Sequence, residues 1–174
     1  LFIFAICMNL LQIYNLFLAG TCRTLQSLGA IQIGKKDKEA FRLVLNKSFM
    51  FITISMLSTC LLISLFPGII TRVFGSSEPS ILAESNHVLR IFAVSFIPFC
   101  YIYFIMIVYK LYQQDQMALF ISFALSLTVI PVLWVISHFA PGLTWYSYLI
   151  AYLLEIIMIA SLHKMTRSKF QLAD

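Results

Sequence analysis

Apolar residues in this chain come in runs too long for a soluble core. Charge, proline and glycine divide them into five segments, at about residues 1–33, 45–66, 88–109, 117–139 and 143–162. Each approaches or exceeds the roughly 20 residues with which a helix crosses a bilayer. The first ends at Gly34, where Lys35, Lys36, Asp37, Lys38, Glu39 and Arg42 form the densest charge cluster. Pro67 and Gly68 stop the second, and a polar loop with Arg72, Gly75, Glu78, Pro79 and Glu84 follows. Lys110, Gln113, Gln114 and Asp115 separate the third segment from the fourth. Pro141 and Gly142 make the turn into the fifth, which closes before Lys164, Arg167 and Lys169. Pro98 and Pro131 fall inside spans, where each removes a helix hydrogen bond and permits a kink. The predicted fold is all-α: a polytopic transmembrane helix bundle of five spans, with residues 1–174 forming a single transmembrane domain.

Composition narrows the function classes. Of 174 residues, 61% are hydrophobic and 11% charged, against roughly 45 to 50% and about 25% in soluble domains. A soluble enzyme and a disordered chain are both excluded. Cys7, Cys22, Cys60 and Cys100 all lie within spans and form no CxxC pair, so they read as small packing residues. His87, His138 and His163 show no ligand spacing, and no phosphate loop, GxSxG or HExxH motif is present. No metal, cofactor or enzymatic activity is expected. The chain opens at Leu1, without Met and already apolar, which reads as a fragment of a longer protein.

Orientation follows from the Lys and Arg residues beside the spans. Nine of them, Lys35, Lys36, Lys38, Arg42, Lys47, Lys110, Lys164, Arg167 and Lys169, share one side, and two, Arg72 and Arg90, the other. This predicts a multi-pass cell-membrane protein with a cytoplasmic C-terminus. The net charge of +5 is thereby accounted for by topology and membrane lipid, and no nucleic-acid partner is expected. Trp145, Tyr146, Tyr109 and Tyr112 read as interfacial belt residues.

Polar residues inside the spans are the candidate chemistry. In the first, Asn9, Gln12, Gly20, Arg23, Ser27 and Gly34 fall within an arc of about 80 degrees at helical spacing. This predicts a wet or protein-facing stripe, with Ile3, Leu10, Leu11, Tyr14, Leu18, Leu25 and Leu28 on a lipid-facing side. Gly20, Ser27 and Ala30 would let a neighbouring backbone approach. Ser48, Ser55 and Thr59 give the second span a milder stripe. Arg23 carries a charge costing about 2.5 to 3.5 kcal/mol at mid-membrane, so it needs a cavity or a partner. Glu155 is the acidic residue of the last span, and Tyr148 and Tyr152 share its face. Arg23 stands roughly 16 Å from Gly34, and Glu155 about 13 to 14 Å from Lys164. The matched depths predict a pair or a shared cavity. A buried ion pair with a structural role alone is the competing reading.

Between the first two spans, Gly34 is expected to end a helix in a left-handed conformation, and Asp37 to cap the next. Here Gln32, Gly34, Lys35, Lys36, Asp37 and Ala40 resemble the Q-x-G-x-x-D-x-x-A turn after the second helix of each half in the multidrug and toxic compound extrusion (MATE) family. The order of helices, turns and loops resembles helices eight to twelve of that family over nearly the whole chain. The resemblance implies the C-terminal lobe of a 12-helix transporter whose partner is a missing N-terminal lobe. It implies efflux of drug-like, amphipathic organic compounds by alternating access, coupled to H+ or Na+. The third span, which would be the family's tenth helix, lacks the carboxylate that members often carry there. Asn9, Gln12, Arg23, Ser27, Tyr148, Tyr152 and Glu155 are the candidate substrate and ion pathway. A lipid or lipid-linked oligosaccharide flippase of the same superfamily, and a non-transporting membrane scaffold or truncated product, are the alternatives.

Overall fold

The computed structural model describes residues 2–75 and 78–170, with side chains as far as residue 162. Six helices follow in order: α1 (Phe2–Gly34), α2 (Lys38–Leu65), α3 (Pro67–Val73), α4 (Pro79–Leu111), α5 (Asp115–Phe139) and α6 (Ser147–Phe170). Five helical segments are long and apolar enough to cross a membrane. Lys164, Arg167, Lys169 and His163, used above for topology and metal chemistry, lie outside the described side chains.

The turns depart from expectation in informative ways. Gly34 is the last residue of α1, and it is Lys36 that takes the left-handed conformation, at φ 56°. The Lys36 N–H donates to the Ile33 carbonyl and the Asp37 N–H to that of Gln32, so the helix ends in a paired-carbonyl stop centred on Lys36. Gln113, at φ 58°, closes α4 in the same way through Lys110 and Tyr109. Asp37 caps α2 as expected, accepting from the Ala40 N–H at 2.9 Å. The segment expected as a polar loop from Pro67 onward is largely helical instead. Pro67 and Pro79 stand at the first positions of α3 and α4, where a fixed φ and a missing N–H cost nothing. The Pro141–Gly142 turn is a six-residue 3-10 segment, Pro141–Tyr146.

Helix α4 is the axis of the bundle and packs against each of the other five helices. Its best membrane window has a mean hydropathy of 2.4, the same as that of α5, yet 61% of it is buried against 6% for α5. Apolar content cannot separate the two, because lipid tails are as apolar as a protein interior. What differs is packing. One cluster joins Ile3, Ile6 and Cys7 of α1 to Ile63 of α2 and Val88, Phe92 and Phe96 of α4. A second joins Leu18, Cys22 and Leu25 to Met56, Ile102, Ile107 and Ile121. At the far end of α1, a Cβ on Gly29 would stand 3.2 Å from both δ-carbons of Leu111 and 3.4 Å from the Phe41 ring. Gly29, rather than Gly20, is the point of close helix approach.

At the opposite end, α3 is tied down by polar contacts. Thr71 and Ser85, both fully buried, share a hydroxyl–hydroxyl hydrogen bond of 2.8 Å. Arg90 donates from Nε to the Ser64 carbonyl in the last turn of α2 at 3.2 Å, where a cation also suits the helix dipole.

Candidate ion and substrate pathway

The inner face of α6 carries three of the expected residues together. Tyr148 is half-buried, and Tyr152 and Glu155 are buried. Spacings of three and four residues put them on one side of the helix, and that side meets α4. Tyr148 lies edge-on to Phe92, with ring centroids 5.5 Å apart. Tyr152 tilts against Phe99 at 5.4 Å, and the two tyrosines are 6.3 Å from each other. The rings continue from Phe99 to Tyr103 at 6.4 Å. In the other direction they run from Phe92 to Phe96 at 5.4 Å and on to Tyr14, stacked at 5.6 Å. Seven rings thus run from α6 across α4 to α1, each pair in the favourable separation range.

Glu155 sits beside this aromatic path with 1% of its surface exposed. Neither Oε1 nor Oε2 has a hydrogen-bond partner. A carboxylate at such a site bears an unrepaid desolvation cost of several kcal/mol when ionised. Taking up a proton removes that charge.

Arg23 does not provide the missing partner, so the expected pair is not formed. The reason is the rotation of α1. The helix buries Ile3, Tyr14, Leu18 and Leu25, residues assigned above to the lipid side. Asn9, Gln12, Gly20, Arg23 and Ser27 point outward from the bundle and are exposed, and nothing lies within 4 Å of a Cβ on Gly20. The lipid-facing assignment is thus overturned for Ile3, Tyr14, Leu18 and Leu25, while Leu28 is exposed, and the free face of α1 carries the polar stripe together with exposed Ile13, Leu16 and Phe17. The depths of the two residues can be compared along α4. Tyr14 meets Cys100 and Gly29 meets Leu111, which sets Arg23 near the level of Met106 and Ile107. Tyr152 meets Phe99, which sets Glu155 near Ile102. The two levels lie about one and a half helical turns apart at most, on different flanks of α4.

Phe92, Phe96, Phe99, Tyr103 and Tyr14 were missed as wall residues. Their signal was legible: positions 92, 96, 99 and 103 follow the helical spacing of one face. Of the cysteines, Cys7, Cys22 and Cys100 are buried and Cys60 partly so, all as free thiols. Cys100 donates to the Tyr14 hydroxyl at 3.1 Å. Ser48, Ser55 and Thr59 are half-buried, as suits helix packing, and the Thr59 hydroxyl is spent on the Ser55 carbonyl at 2.9 Å. Among the described residues, no three His, Cys, Asp or Glu side chains gather as a metal site.

A family model described as MatE matches residues 3–136, from the start of α1 almost to the end of α5. No curated protein and no solved structure matches the chain.

Proposed function

The chain belongs to the MatE family of membrane efflux transporters, and on that premise we propose that it serves cation-coupled efflux of amphipathic organic compounds by alternating access. The observation that carries this reading is Glu155, a buried carboxylate without a partner next to an aromatic wall. Loading it with H+ or Na+ neutralises it, and unloading leaves a charge that the apolar packing around it does not compensate. A conformational change that exposes it to water relieves that cost, which links ion occupancy to the state of the helices. The half-buried rings of Tyr148 and Tyr103 supply π faces that suit flat or cationic compounds once the helices part.

The outward stripe of Asn9, Gln12, Arg23 and Ser27 supports a polar cavity shared with a second helical lobe, since amide and hydroxyl groups left without partners are costly against hydrocarbon. Helices α1 and α4 run parallel, so Lys35, Lys36 and Lys110 emerge at one end of the bundle. That grouping supports a cytoplasmic face there and, by parity, a cytoplasmic C-terminus in the cell membrane.

The test is transport in vesicles that hold the full natural chain. Imposed H+ or Na+ gradients should drive movement of cationic dyes, with one of the two ions effective. Dye distribution unmoved by both gradients refutes coupled efflux.

A further inference from the structure

The crevice between α1 and α2 is polar at one end and apolar along the rest, and it opens on the outside of the bundle. Lys47, Ser48, Thr21 and Thr24 line one stretch, and Met50, Phe51 and Ile54 the remainder, around an open volume of about 520 Å³. The outer face of α2 continues as exposed Leu57, Leu61 and Leu65, a surface suited to lipid. Lys47 stands nine residues into α2, roughly 13 Å from its start and about level with Thr21, since Phe17 and Phe51 meet one turn deeper; its long stem lets the ammonium snorkel along the crevice toward the headgroups. Lys47 also borders a second hollow toward the basic turn, shared with Glu39, Arg42 and Asn46. The two hollows meet at its side chain. The crevice thus has a head region of net charge +1, from Arg42, Lys47 and Glu39, and a tail region of apolar side chains.

We infer that this crevice binds one anionic glycerophospholipid, with its phosphate at Lys47 and Ser48 and an acyl chain along Met50, Phe51 and Ile54. Charge and polarity select this occupant. The Lys47 ammonium offers three donors, and a basic pocket between helices at the membrane boundary suits anionic headgroups. The Thr21 and Thr24 hydroxyls donate to the Phe17 and Gly20 carbonyls, so anion binding rests on Lys47 and Ser48. Arg42 and Asn46 meet the outer part of the headgroup. The inference uses the chain's passage through the membrane and does not depend on the transport reading.

Thermal unfolding of the full natural chain in neutral detergent, titrated with phosphatidylglycerol or with phosphatidylcholine of the same acyl chains, tests it. Phosphatidylglycerol should raise the midpoint saturably and phosphatidylcholine should not. Lys47→Gln should weaken the apparent affinity about fivefold, the worth of one interfacial cation, and Lys47→Arg should retain it. Ile54→Trp, which fills the tail region and leaves the charge in place, should weaken it as well. Lys110→Gln, a basic residue of the other turn, should leave it unchanged. Equal protection by the two lipids, or equal loss in Lys110→Gln, overturns the site. Inorganic phosphate that reproduces the shift assigns a bare anion site and also overturns it.

Discussion

Replacing Glu155 by leucine should make the protein more stable and leave it unable to couple transport to an ion gradient. The carboxyl group is 1% exposed, and neither oxygen is hydrogen-bonded. Even uncharged, a buried polar group without partners costs about 1 to 3 kcal/mol. Leucine keeps the approximate volume, removes both orphaned oxygens and adds contacts with the α4 side of the bundle. Exchange of a buried charge for an apolar side chain of similar size stabilises by about 1 to 4 kcal/mol. At this chain length that corresponds to a rise on the order of 3 to 12 °C in unfolding midpoint. Two assays are needed: unfolding midpoints in detergent for wild type, Glu155→Gln and Glu155→Leu, and gradient-driven dye movement in vesicles for the same set. The expected order of stability is Leu above wild type, with coupled transport lost in both variants. A destabilised Leu variant would mean that Glu155 has a compensating partner. Coupled transport that persists in both variants would remove Glu155 from the ion path.

Other expectations follow from the turns, the close helix contact and the separated charges. Lys36→Gly and Gln113→Gly should each stabilise by about 0.5 to 1 kcal/mol, since a left-handed non-glycine residue costs about 1 to 2 and glycine's greater freedom when unfolded takes back part of it; alanine at the same positions should give no gain in unfolding midpoint. Gly29→Leu should destabilise by about 1 to 3 kcal/mol against Leu111 and Phe41, while Gly20→Leu, with open space around it, should be neutral or slightly favourable on helix propensity; equal effects in an unfolding titration would contradict the α1–α4 contact. A double-mutant cycle on Arg23 and Glu155 should return a coupling below about 0.5 kcal/mol, and exchanging the two residues should not rescue either single change.

How far the sequence could be read depended on whether water or lipid set the rule. Chain segments near water follow local chemistry, so the spans, the Asp37 cap and the basic turns were legible. The left-handed residue was placed at Gly34 because glycine is the usual occupant, but the ladder of carbonyl partners selects Lys36 two positions on. Inside the membrane, polarity ceases to point inward. The side of α1 with Tyr14, Leu18 and Leu25 is apolar enough for lipid and also apolar enough for the core, and only its fit against α4 decides between them. The shared face of Tyr148, Tyr152 and Glu155 was legible from spacing within one helix. Whether Arg23 could reach Glu155 depended on the rotation of α1, which no spacing within α1 encodes.

The contrast between α4 and α5 bears on how such a chain can change over time. Both helices must stay apolar to remain in the bilayer, but α5 buries only Ala118 and Ile121, and Phe123, Leu127, Ile130 and Trp134 stand exposed along its outer side. Exchanges among Leu, Ile, Val and Phe along Phe123, Leu127, Ile130 and Trp134 should pass with little effect, whereas the same exchanges at Phe92, Phe96 or Ile102 alter a fitted interior. A saturation library scored for folded protein at the membrane should therefore come out permissive along one helix and strict along the other. Two segments of equal hydropathy thus differ in how many sequences can occupy them, and α5 is where such a transporter can drift while α4 stays as it is.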